Sequence, residues 1–188
     1  MLRAFVAVEI DSEVRDRICR AVDQLESRSF RARWVAPANI HLTLKFLGDI
    51  APDQVEAVYT ALEGPLRPFP PCTINAKGLG VFPNPRRPRV IWVGIDGKEL
   101  VSLAACVESA LSPLGFAPDQ KKFSPHLTIG RWRQTDRPPR NLSQELAKWQ
   151  HVEFGVTYVD EVVLFQSVLK PEGAIYHRLK AVGLGRTV

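Results

Sequence analysis

The chain has 188 residues, 45% hydrophobic and 24% charged, with a formal net charge of +5. That apolar share fills one sizeable core or two small lobes with a shared core, which excludes a disordered chain. The mild positive balance suits a phosphorylated or polyanionic partner, and Cys19, Cys72 and Cys106, an odd set without a C-x-x-C pair, exclude a disulfide framework.

In chain order, residues 3–10 alternate loosely around Phe5, Val6 and Val8 and predict a strand. This opening run is too short for the apolar region of a signal peptide, and no later stretch approaches the ~20 apolar residues of a membrane span. A cytoplasmic protein without membrane contact is therefore expected. Asp11 and Ser12 can cap a helix carrying Val14, Ile18, Ala21, Val22 and Leu25 at helical spacing, followed by a basic turn over 28–33. Trp34 and Val35 lead through Pro37 into a strand that begins His41-Leu42-Thr43-Leu44 and ends at Gly48-Asp49.

Pro52, then Val55, Val58, Ala61 and Leu62, predict a second helix closed by Gly64-Pro65. Residues 73–81 and 89–95 read as a hairpin whose rigid tip carries Arg86, Arg87 and Arg89 among prolines. Leu100, Leu103, Ala104, Val107 and Leu111 form the clearest amphipathic helix, stopped by Pro113 and Gly115. A second strand then begins His126-Leu127-Thr128-Ile129. A short helix at 142–149 and strands at 152–159, 162–169 and 174–179 complete the chain. Without strict β-α-β alternation, the order predicts an α+β fold with antiparallel sheets. The repeated strand phrase suggests two pseudo-symmetric lobes within one domain over 1–188.

Each H-x-T-x phrase alternates polar and apolar residues, so an imidazole and a hydroxyl share one face of a strand. Histidine can take or give a proton near neutral pH, and threonine hydroxyls can stabilise charge growing on phosphate oxygens. A lone strand histidine is more often structural. Two in the same context, out of four histidines, shift the balance toward chemistry. His151 and His177 lack that context and are assigned to the surface or to strand pairing. Lys45 shares the face of His41 and Thr43 by period but is expected to be solvated at a strand end, and Phe46 falls on the apolar face.

Strict alternation from His126 also puts Arg131 on the wrong face, unless the strand twists, bulges at Gly130 or ends there. Trp132 and the basic stretches at 86–89 and 131–140 can serve as a stacking platform and a backbone track for RNA, or as ordinary charged loops. No phosphate-binding glycine loop, dinucleotide fingerprint, H-E-x-x-H or G-x-S-x-G is present, so an ATP-dependent reaction is not expected. Each H-x-T-x phrase supplies one nitrogen and no adjacent carboxylate, which argues against a metal site.

These motifs resemble those of the 2H phosphoesterases, and within them the RNA 2′,3′-cyclic phosphodiesterases also called 2′-5′ RNA ligases. Arg33-Trp34-Val35 with Asn39-Ile40-His41-Leu42-Thr43-Leu44-Lys45-Phe46-Leu47-Gly48 is similar to that family's first signature. Phe123-Ser124-Pro125-His126-Leu127-Thr128-Ile129-Gly130-Arg131 is similar to the second. The resemblance extends from Arg3-Ala4-Phe5 to Leu164-Phe165-Gln166-Ser167. It implies two lobes around a central cleft with helices outside, and hydrolysis of an RNA terminal 2′,3′-cyclic phosphate to a 2′-phosphate, together with ATP-independent 2′-5′ ligation. His41 would be the proton donor, His126 the proton acceptor, and Thr43, Thr128 and Arg131 would bind substrate. No metal or cofactor is expected, and a monomer is. A binding module for RNA ends, or a phosphodiesterase for small cyclic nucleotides or 2′-5′ linked oligonucleotides, stays open as an alternative.

Overall fold

In the computed structural model of the protein, residues 1–28, 30–136, 138–171 and 173–185 are described. The first part of the chain forms β1 (Leu2–Glu9), α1 (Ser12–Ser27), β2 (Arg33–Trp34), a 3-10 turn (Pro37–Asn39), β3 (His41–Ile50) and α2 (Gln54–Leu66). It continues with β4 (Cys72–Phe82), β5 (Val90–Asp96), α3 (Leu100–Leu111) and β6 (His126–Arg131). The last elements are α4 (Leu142–Trp149), β7 (Glu153–Val159), β8 (Glu161–Lys170) and β9 (Gly173–Gly183). Arg137, within the expected basic stretch, and Ser29, in the basic turn, lie outside the described residues.

The strands pair antiparallel in the order β7-β4-β5-β6-β3-β1-β8-β9, with β2 added beside β6. The expected α+β architecture is present, with the sheets of both halves continuous. One half is β7-β4-β5-β6 and the other β3-β1-β8-β9, and they meet through the pair Leu42↔Leu127. The helices cover one face of the sheet and cross between the halves: α1 follows β1 but packs on β7, whereas α3 follows β5 but packs on β3. Val14, Ile18, Ala21 and Leu25 of α1 are buried at the predicted spacing, and each large aliphatic side chain so buried contributes about 1.5–3 kcal/mol. Asp11 caps α1 without a side-chain hydrogen bond; instead its own N–H donates to Thr157 Oγ1 at 3.0 Å, tying the helix start to β7. Among the described residues no helix is long and apolar enough to cross a membrane, and all three cysteines are free thiols.

Both motif strands break their alternation at the same place. On β3, Ala7 pairs with Thr43 while Val6 pairs with Lys45, so Leu44 is an extra residue. On β6, Trp92 pairs with Thr128 while Ile91 pairs with Gly130, so Ile129 is extra. Such a bulge gives two successive residues the same side and restarts the alternation out of phase. Leu44 and Lys45 both turn to the helix face, as do Ile129 and Gly130. A side chain at Gly130 would meet Ile91 at 2.8 Å and the Trp34 ring at 2.9 Å, which accounts for glycine there.

The bulge corrects two sequence expectations. Lys45 is not solvated: it is 2% exposed, and its Nζ donates to Glu108 Oε1 at 2.6 Å and to the Ala117 carbonyl at 2.9 Å. Phe46 is not on the apolar face; it is 61% exposed and turned to the open side. A third correction concerns Trp132, which is 5% exposed in the core and unavailable for stacking.

Candidate active site

The helix-free face of the sheet holds a cavity of about 650 Å³ lined by His41, Thr43, His126, Thr128 and Arg131 together. All five residues singled out in the sequence therefore share one space. The bulge after Ile129 brings Arg131 back to the side of His126 and Thr128. By the same geometry Phe46 joins His41 and Thr43, so each motif strand presents three side chains to the cavity.

The two imidazoles are held alike. His41 Nδ1–H donates to the Asn39 carbonyl and His126 Nδ1–H to the Ser124 carbonyl, each at 2.7 Å and each to the residue two positions earlier. A carbonyl can only accept, so Nδ1 keeps its proton and Nε2 is left as the working nitrogen. Thr43 Oγ1 lies 3.0 Å from His41 Nε2. The hydroxyl donates to the neutral ring and accepts from the protonated one, so it serves both states.

Their surroundings differ. His41 stacks on Phe5 with ring centroids 4.7 Å apart and meets Tyr176 edge-on at 5.1 Å. Phe5 belongs to a second apolar cluster with Ala7, Val163 and Phe165, on which Tyr176 packs. Asn39 adds a tether from the far hairpin, its side-chain amide donating to the Ala174 carbonyl at 2.5 Å. Among the described residues the one aromatic ring that His126 meets is Phe82, edge-on at 5.0 Å. Burial lowers the His41 imidazole from 6.5 to about 4; the hydrogen bond to Asn39 opposes this, and the nearby Arg131 and His126 add to it.

This has a measurable result. In the free protein the His41 ring should titrate near pH 4 by NMR, and inorganic phosphate should move that midpoint upward, because an anion offsets Arg131 and His126. Above pH 6.5 the ring is neutral folded or unfolded, and its whole contribution to stability is present. As pH falls from 6.5 through 4 the unfolded chain takes up the proton first, so stability drops by up to about 3 kcal/mol. His41→Gln should flatten that part of the stability profile; an unchanged slope would refute the burial argument.

The residues that the sequence did not reveal are Phe5, Phe46, Tyr176, Arg3 and Asn39. Arg3, Phe5 and Ala7 alternate on β1, but nothing in that pattern says which face meets the cavity. His151 and His177 are both exposed and outside it, as expected. Among the described residues no cluster of metal-ligating side chains occurs.

Comparison with known proteins gives the same picture. The family described as LigT like Phosphoesterase matches twice, over residues 8–92 and 93–176. The chain is 38% identical over 179 residues to an RNA 2′,3′-cyclic phosphodiesterase of Methanothermobacter thermautotrophicus, covering 93% of this chain and 95% of the relative. It is 37% identical over 191 residues to an RNA 2′,3′-cyclic phosphodiesterase of Aquifex aeolicus, covering 98% of each. The crystal structure of TT0787 of Thermus thermophilus superposes with a TM-score of 0.81 at 30% identity, over 98% of this chain and 99% of that one. With both halves matched and the motif strands facing one cavity, the chain belongs to the LigT-like phosphoesterase family.

Proposed function

We propose that the protein hydrolyses the 2′,3′-cyclic phosphate at the end of an RNA strand to a 2′-phosphate, with His41 as proton donor and His126 as proton acceptor. The observation that carries this reading is the pair of imidazoles, each with Nδ1 fixed to a carbonyl so that Nε2 is the working nitrogen, on one cavity with Arg131. His126 takes a proton from water as its oxygen attacks phosphorus. The bond from phosphorus to O3′ breaks, O3′ takes the proton of His41, and the phosphate stays on O2′. Thr43, Thr128 and Arg131 hold the non-bridging oxygens, where charge grows in the transition state. A donor must first be protonated, and the free protein keeps His41 neutral above about pH 4. The anionic substrate brings the opposing charge that lets His41 hold its proton when it is needed.

The division of roles follows the family resemblance, and the relatives named RNA 2′,3′-cyclic phosphodiesterase support the substrate class. A 5′-hydroxyl in the place of water would give a 2′-5′ linkage without ATP. In this reading the chain works as one bilobal unit, a cytoplasmic monomer without cofactor or resident metal, since imidazoles move both protons. End-group analysis on a panel of cyclic-phosphate and 2′-5′ linked oligonucleotides tests it. A 2′-phosphate with a free 3′-hydroxyl is expected; a 3′-phosphate, or no product from any cyclic phosphate, would overturn it.

A further inference from the structure

Arg131, which lines the cavity, has an arginine opposite it on the neighbouring strand. β2 pairs with β6 in the register Arg33↔Arg131 and Trp34↔Gly130. Directly opposed residues of an antiparallel pair project to the same face, with Cα atoms about 5 Å apart. Trp34 turns to the core, where its ring lies against Gly130, while Val35 lines the cavity beside Arg131. Arg33, one step from Trp34 and two from Val35, therefore projects to the cavity side, and it is exposed.

Like charges directly opposed across a ladder repel. Among the described residues neither guanidinium has an ion-pair partner, whereas Arg28, Arg67 and Arg178 each hold a carboxylate. An anionic group bound in the cavity would meet Arg131. A second, bound to the same strand, is what Arg33 beside it can engage, and consecutive phosphates of RNA supply both from one molecule.

We propose that Arg33 and Arg131 form a two-phosphate clamp in which Arg33 binds the phosphodiester next to the terminal cyclic phosphate. Arg33 then selects a polynucleotide end over a free nucleoside 2′,3′-cyclic phosphate. The clamp rests on the cyclic-phosphate reading of the cavity but adds a residue and a discrimination that reading does not contain.

The test compares wild type with Arg33→Gln on an oligoribonucleotide ending in a 2′,3′-cyclic phosphate and on the corresponding nucleoside 2′,3′-cyclic phosphate. For the oligonucleotide, kcat/KM should fall about tenfold, through KM, as expected for one lost charged hydrogen bond. The mononucleotide should be unaffected, and Arg33→Lys should restore part of the loss. The logarithmic salt dependence for the oligonucleotide should flatten by about 0.7, the share of one phosphate contact on a single strand. Equal loss on both substrates, or none on either, would overturn the clamp. Anisotropy with a labelled 3′-phosphorylated oligonucleotide, weakened by Arg33→Gln, decides the clamp independently of turnover. Failure of wild type to hydrolyse either substrate would overturn the cyclic-phosphate reading alone.

Discussion

His41→Ala and His126→Ala should each lower kcat on an RNA ending in a 2′,3′-cyclic phosphate by about 10²–10⁴-fold, the usual loss when a positioned acid or base is removed. The loss is expected in both variants because the proposed mechanism gives each Nε2 its own proton to move. His41→Ala also removes ring contacts with Phe5 and Tyr176. His41→Gln, which keeps more of the volume, should be equally inactive while unfolding closer to wild type. Wild type should keep its activity in EDTA, and its kcat/KM should describe a bell against pH. Full activity in either histidine variant would remove the two-imidazole mechanism, and loss of wild-type activity in EDTA would remove its metal independence.

Glu108→Ala should cost about 3 kcal/mol of stability, as is typical when one partner of a buried ion pair is deleted. The Lys45 side chain is 1% exposed and that of Glu108 27% exposed, so the two deletions are not equivalent. Without Glu108 the ammonium is left among apolar side chains with the Ala117 carbonyl as its remaining partner. Lys45→Met removes the buried charge and leaves a carboxylate that water can reach, so it should cost much less. Denaturant unfolding of the two variants distinguishes them; equal losses would mean that the pair acts only through packing.

The expected α+β order, the helices and the motif strands were legible because apolar spacing reports which side of an element is buried, as in Val14, Ile18, Ala21 and Leu25. His41, Thr43, His126 and Thr128 were legible because they precede the bulges, where period-two counting still holds. Lys45, Phe46 and Arg131 come after them. An extra residue leaves no mark in composition, so Lys45 and Phe46 were assigned to each other's faces. Gly130 hinted at irregularity on β6, but nothing comparable marked Leu44 on β3. Trp132 reads as a surface aromatic among arginines, and only the fold shows that the chain turns it inward. Phe5 and Tyr176 reach the cavity through strand partners distant in sequence, and Asn39, two residues before His41, is held by the distant Ala174 carbonyl.

The meeting of the two halves at Leu42↔Leu127 has a mechanical side. Each motif histidine stands one residue before that pair, so the spacing of the imidazoles is the spacing of two plates joined along a very short seam. The ladder there is too short to set it. The braces are the helices that reach across behind the sheet, α1 under β7 and α3 under β3, the latter fastened by Lys45 and Glu108. Alignment of His41 and His126 is thus set from the back of the molecule, and a loosened brace would shift one imidazole against the other without touching a residue of the cavity.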